Sequence, residues 1–327
     1  MRIAALVVVL VVAAFGGSPL AESQPIGKIA RVGILDGGSS YPERQALWSG
    51  FKQALSEMGY VEGKNVAFDF RWGMGQSDTL GQLASELVRA KVDVIVTAGT
   101  PAALAAKRAT ATIPIVLVLA GDPVRTGLAA SLSHPGGNVT GLTTLTTELS
   151  AKRLEYLRQM VPTITKLGVV WDANPAFTLA VQDTEAVGRT MSVSVHARVV
   201  RSRHELDTAF ADLAGLPVHA LEAMPTPVGL RERRHLAELA LKYRLPTAFA
   251  QREYVEAGGL MSYGSNLAHL FRRSASYVEK VLKGARPADL PIEQPTTFEL
   301  VINLRTATAL GVAVPPSLRA RADHIIE

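Results

Sequence analysis

Cysteine is absent from the 327 residues, which removes disulfides, thiolate zinc ligands and thiol nucleophiles together. It also removes the lipid-acceptor thiol that would tether an exported bacterial protein to a membrane. Catalytic signatures are missing as well: there is no G-x-S-x-G elbow, no H-E-x-x-H pair and no Walker loop. "GMGQSD" (73–78) begins like a dinucleotide fingerprint but lacks the third glycine, so it reads as a loop. The seven histidines are scattered with no pair at ligand spacing, and neither a metal nor a cofactor is expected. The Arg-rich "RERRH" (231–235) has no interleaved aromatics and reads as a solvated helix face rather than a nucleic-acid contact.

Long apolar runs are confined to one place. Met1-Arg2 is followed by an almost unbroken apolar stretch from Ile3 to Phe15 and then by small residues. A basic start, a core too short to cross a bilayer and a small-x-small site describe a secretory signal peptide. Cleavage is placed after Ser23, with Ala21 as the alternative, so residues 1–23 are set apart and the mature chain is expected in the periplasm. Arg2 and Glu22 cancel, which leaves the formal charge at +5, a mild value for a chain of this length. With 48% hydrophobic and 19% charged residues, the remainder has the composition of a globular α/β protein.

Apolar runs and helical stripes then alternate. "ARVGIL" (30–35), "NVAFDF" (65–70), "VDVIVTA" (92–98) and "IPIVLVLA" (113–120) read as strands. Leu47, Phe51, Ala54, Leu55 and Met58, then Leu80, Leu83, Leu87 and Val88, fall at helical spacing between them. Near 147 the pattern restarts with "KLGVVWD" (166–172), "VSVHARVV" (193–200), "VHALEAM" (218–224), "LPTAFA" (245–250) and "GLMSYG" (259–264). Two βα sets predict two doubly wound Rossmann-like lobes with a cleft between them. The first lobe is assigned to 28–146 plus a returning segment from about 260–294, and the second to 147–258 plus part of 295–327.

Strand ends in this pattern carry a capping residue followed by proline: Thr100-Pro101, Asp122-Pro123, Asn174-Pro175 and Thr226-Pro227. Such pairs start helices, the side chain taking a free N–H and the proline presetting φ. At the carboxyl ends of parallel strands these starts lie where open α/β sheets bind ligands, and their spare N–H groups and dipoles suit an anion. Singly, each pair is also an ordinary helix start. "DGGSS" (36–40) adds glycines that let the backbone approach a ligand. The expected binding set is therefore Gly37, Gly38, Ser39, Thr97, Gly99, Thr100, Asp122, Trp171, Asn174, Thr226 and Tyr263. Within it, Ser39, Thr100 and Asn174 hold an anionic group, Asp122 meets an ammonium, and Trp171 or Tyr263 touches an apolar remainder. A helix is expected after Pro123, ended by Pro135, Gly136 and Gly137.

Residues 249–327, "FAQREYVEAGGLMSYGSNLAHLFRRSASYVEKVLKGARPADLPIEQPTTFELVINLRTATALGVAVPPSLRARADHIIE", together with "AGDPVRTGLAASLSHPGGNVTG" and "TAGTPAALAAK", resemble the substrate-binding proteins of ABC transporters in the tryptophan/tyrosine transport-system family. The resemblance implies a type I periplasmic-binding-protein fold with a three-crossover hinge and closure on a small molecule. It also implies an ABC permease as partner and a non-enzymatic role; a monomer is expected. Two other readings stay open at this point: a sensory ligand-binding subunit, and an enzyme using the same cleft.

Overall fold

The computed structural model describes residues 29–327 except 39, 41, 145, 173 and 174. The signal peptide lies outside the described residues. So do Ser39 and Asn174.

The first sheet is built from β1 (Ala30–Asp36), β2 (Val66–Trp72), β3 (Val94–Ala98), β4 (Ile115–Leu119) and β5 (Val139–Gly141), in the order β2-β1-β3-β4-β5. All of its pairings are parallel. β3 and β4 are buried along their whole length, as their unbroken apolar and β-branched sequences require when helices cover both faces. One face carries α2 (Leu80–Arg89) and α3 (Thr100–Ala109), whose Leu80, Ala84, Leu87, Ala102 and Ala106 join one core. The other carries α1 (Pro42–Glu57), whose Trp48, Phe51 and Leu55 form a second core.

The second sheet is larger. Its elements are α4 (Thr146–Met160), β6 (Lys166–Trp171), α5 (Pro175–Thr190), β7 (Ser194–Val199), α6 (Arg203–Gly215), β8 (Ala220–Ala223), α7 (Pro227–Arg231), α8 (Arg233–Lys242), β9 (Thr247–Phe249), α9 (Arg252–Glu256) and β10 (Met261–Ser265). The chain then runs through α10 (Leu267–Leu282) to β11 (Phe298–Asn303), α11 (Leu304–Leu310), α12 (Pro316–Arg321) and β12 (His324–Ile326). The strand order is β12-β11-β10-β9-β8-β6-β7, with β10 and β11 antiparallel.

α10 does not stay with this sheet. Asn266 caps it by accepting from His269 N at 2.8 Å, and its Leu270, Phe271, Ala275 and Val278 pack beside α1 in the core that Trp48, Phe51 and Leu55 form. The Leu, Phe and Val side chains contribute about 1.5–3 kcal/mol each. The returning segment therefore starts at α10 and not near residue 260, because β10 is hydrogen-bonded between β9 and β11 in the second sheet. The segment that follows remains on the first lobe, where Glu293 bridges to Leu142, before β11 re-enters the second sheet. Three chain segments thus cross between the lobes: after Leu142, at Asn266, and between Glu293 and Phe298.

Two local expectations fail. No helix follows Pro123; residues 123–127 make a turn, and the chain to Asn138 is irregular. Gly127 adopts φ 73°, a left-handed conformation that ends the turn after five residues. Ser131 then folds its hydroxyl back to accept from His134 N. Pro135, Gly136 and Gly137 consequently have no helix to terminate. No helix among the described residues is long and apolar enough to cross a membrane.

Candidate functional site

A cavity lies between the lobes, the kind of boundary at which small-molecule sites are commonly found. From the first lobe it is lined by Gly37, Gly38, Arg44, Ala98, Gly99, Thr100, Pro101, Leu119, Gly121 and Thr144. The second lobe contributes Phe177, Ala180, Met224, Pro225, Pro227, Leu230 and Gln251. Most of these walls are apolar, and no carboxylate among the described residues lines them.

The charge at the wall is Arg44, which is almost wholly buried. Its Nε and one terminal nitrogen donate to the two carboxylate oxygens of Asp36, at 2.7 and 3.0 Å. Asp36 also accepts from Trp48 Nε1 and from Gly38 N, both at 2.8 Å. A carboxylate at the end of β1 thus fixes a guanidinium on the first turns of α1 and sets the glycine loop beside it. Such a bidentate pair has a defined orientation. Opposite, in α9, Glu253 is buried with one carboxylate oxygen that has no hydrogen-bond partner. Burial pushes its carboxyl above the ordinary range, offset in part by its own backbone and by Arg44.

α3 begins at the cavity, with Gly99, Thr100 and Pro101 all on the wall. The positive dipole end of α3 therefore lies at the cavity wall. The cavity mouth is bridged by contacts between lobes. Arg125 donates to both oxygens of Asp183 at 2.9 and 2.7 Å, and the carboxylate holds the guanidinium above its usual pKa. Arg231 reaches Met74 O and Gly75 O at 3.4 and 3.5 Å, and Ser77 donates to Asp172 at 3.4 Å. The lobes are closed on each other.

Residues 32–326 match the profile of the ABC transporter substrate binding protein family. The chain belongs to that family. Among curated relatives, a tyrosine-binding protein of Clostridioides difficile is 28% identical over 280 residues, 83% of this chain and 78% of the relative. Among solved structures, an ABC domain in complex with L-Trp from Streptococcus pneumoniae superposes with a TM-score of 0.84 at 25% identity, covering 91% of this chain and 99% of the other. A conserved domain protein of Vibrio cholerae gives 0.85 at 27%, covering 91% and 100%. The two-lobed type I binding-protein fold and the capture of a small molecule for an ABC system follow from this membership.

Within this substrate-binding protein the expected residues divide. Gly37, Gly38, Gly99 and Thr100 line the cavity. Thr100 does not cap its own helix: its hydroxyl accepts from Gly121 N at 2.8 Å and ties α3 to the end of β4. Thr226 does cap, accepting from Gly229 N at 3.0 Å, and with Trp171 it lines a smaller side cavity of about 250 Å³ that meets the main one at Met224. Asp122 is not on the cavity wall. Its Oδ1 accepts from Val124 N and Arg125 N, both at 3.0 Å, so it holds the turn that carries Arg125 to the rim. Thr97 is buried in β3. Tyr263 packs edge-on against Tyr156 at 5.2 Å between ring centres, within the second lobe's core.

Arg44, Phe177, Met224 and Gln251 were not expected. Arg44 had a signal: it lies four residues before Trp48 and seven before Phe51, so a charge falls on the apolar stripe of α1. Gln251 stands just past a strand end, as the capping residues do, but no proline follows to mark it. Among the described residues no cluster of His, Asp or Glu could hold a metal ion.

Proposed function

We propose that the protein is an exported, non-enzymatic receptor that captures an amino acid with an aromatic side chain and delivers it to an ABC permease. The interlobe cavity carries this reading: an apolar enclosure with the Arg44 guanidinium and the positive end of the α3 dipole at one wall. A ligand carboxylate is stabilised at that wall, and its apolar side chain is buried against Phe177, Met224, Leu230 and Pro227. The tyrosine-binding relative and the L-Trp complex support the same ligand class. Hinge closure completes the site, because both lobes supply walls and the rim pairs form only when the lobes meet. Residues 1–23 direct the chain to the periplasm, where with no cysteine it acts unanchored, as a monomer.

The test is a thermal-shift panel of amino acids, nucleosides, small acids and sugars on protein denatured and refolded to strip carried ligand. A ligand that binds only the native state raises the melting temperature as ln(1 + [L]/Kd). Tyrosine and tryptophan are expected to give the largest shifts. A shift only with another class would reject the amino-acid reading.

A further inference from the structure

A second, smaller chamber opens beside the main cavity on its hinge side. The two share Thr144, Pro225 and Gln251 as lining residues. The rest of the chamber is made by Leu149, Arg153, Ala250, Gly264, Ser265 and Leu267, which come from the first and second crossovers and the end of β9. Gly264 is needed there, since a Cβ would fall 1.9 Å from Ala250 O.

Two residues that line this chamber each carry a buried side-chain oxygen with no hydrogen-bond partner: Gln251 Oε1 and Ser265 Oγ. Both atoms are buried, and Ser265 as a whole is only 5% exposed. Buried polar atoms are almost always paired, so two orphans on residues that line one chamber point to a group that completes them.

The surroundings say what kind of group. Arg153 is committed: Nε donates to Glu222 at 2.7 Å, one terminal nitrogen to Ser150 at 2.7 Å and the other to Tyr263 O at 3.3 Å. The pair is charge-balanced, so the chamber offers no surplus charge to a cation, and a cation beside the guanidinium is repelled in a low dielectric. An anion meets the Gln251 side-chain carbonyl oxygen, which only accepts, while the Ser265 hydroxyl can accept or donate. A neutral donor suits both oxygens, and the walls of Leu149, Pro225, Ala250 and Leu267 suit a flat apolar body behind it.

We infer that Gln251 and Ser265 are specificity-determining residues that accept a neutral hydrogen bond from the far edge of an aromatic side chain, a phenol O–H or an indole N–H. This rests on the amino-acid reading above and adds to it a mechanism of choice among aromatic ligands. With the carboxylate at Arg44 and α3, the side chain crosses the main cavity and puts its polar edge in the chamber. Phenylalanine leaves both oxygens unpaired, at the cost of a buried unmet acceptor.

Titration calorimetry on the refolded full mature chain tests this with tyrosine, tryptophan, phenylalanine and O-methyltyrosine, which keeps the oxygen and loses the donor. Tyrosine or tryptophan is expected to bind at least about tenfold more tightly than phenylalanine and O-methyltyrosine. In Gln251→Leu and Ser265→Ala the ratio of tyrosine to phenylalanine affinity should fall toward one. Equal binding of all four ligands to the unmodified protein would overturn the chamber's role and leave the amino-acid reading standing. Binding of no amino acid, with a response to another class, would overturn both. If a variant fails to fold, the ligand series on the unmodified protein decides alone.

Discussion

Among the described residues each lobe buries one arginine–carboxylate pair, and the two are wired differently. In the first lobe Asp36 and Arg44 are eight residues apart, within a single strand-helix unit, and the guanidinium reaches the cavity wall. In the second, Arg153 and Glu222 are 69 residues apart, and the pair ties α4, the first element after a crossover, to the middle of the second sheet. A local pair can be presented to a ligand without disturbing the lobe that holds it. A long-range pair fixes the lobe's own geometry, and here it also sets one wall of the chamber at the hinge.

The largest effects should come from breaking these pairs. Arg153→Met leaves Glu222 buried without its partner and is expected to lower unfolding free energy by about 3–5 kcal/mol in urea denaturation. The double change Arg153→Met with Glu222→Leu should recover most of that loss. Arg44→Met should destabilise comparably and, unlike Arg153→Met, abolish ligand binding even where the protein remains folded. Equal effects on binding from the two arginines would erase the distinction between a presented charge and a structural one.

Asp122 gives a smaller effect. Its carboxylate holds a turn, so Asp122→Ala should cost about 0.5–2 kcal/mol of stability, while Asp122→Asn, which keeps an acceptor, costs less. Ligand affinity should change by less than about threefold in the asparagine variant, well under one hydrogen bond to a charged group. A loss above tenfold with stability unchanged would return Asp122 to the role of ammonium partner.

The smallest effect is expected at the rim. Arg125 is 40% exposed as a side chain, and Arg125→Ala should weaken closure by about 0.2–1 kcal/mol, up to about fivefold in Kd. The loss should shrink as salt rises. A salt-independent loss would mean that Arg125 acts through something other than its pair with Asp183.

Much of the fold was legible because its signals are local. Continuous β-branched runs marked the buried strands β3 and β4, and helical stripes marked α1 and α2. The turn at 123–127 was missed because the cap and proline that start a helix are followed by Gly127, whose left-handed conformation outweighs them. Part of the cavity wall was legible for the same reason. Gly37, Gly38, Gly99 and Thr100 sit where strand ends and turn chemistry place them. Gln251, Phe177 and the Ser265 chamber depend on how the lobes meet, and that meeting has no short-range signal. Tyr263, in the middle of β10, turns toward its own lobe's core instead.

The central claim is that the cavity between the lobes is where an aromatic amino acid is held. Ala180 lies on that wall from α5, and Ala180→Trp fills the cavity from one side. Calorimetric titration of tyrosine and tryptophan into the refolded protein and into Ala180→Trp tests the claim directly. One ligand per chain binding to the unmodified protein, with binding lost in the folded variant, is the predicted result. Undiminished binding in Ala180→Trp would contradict it.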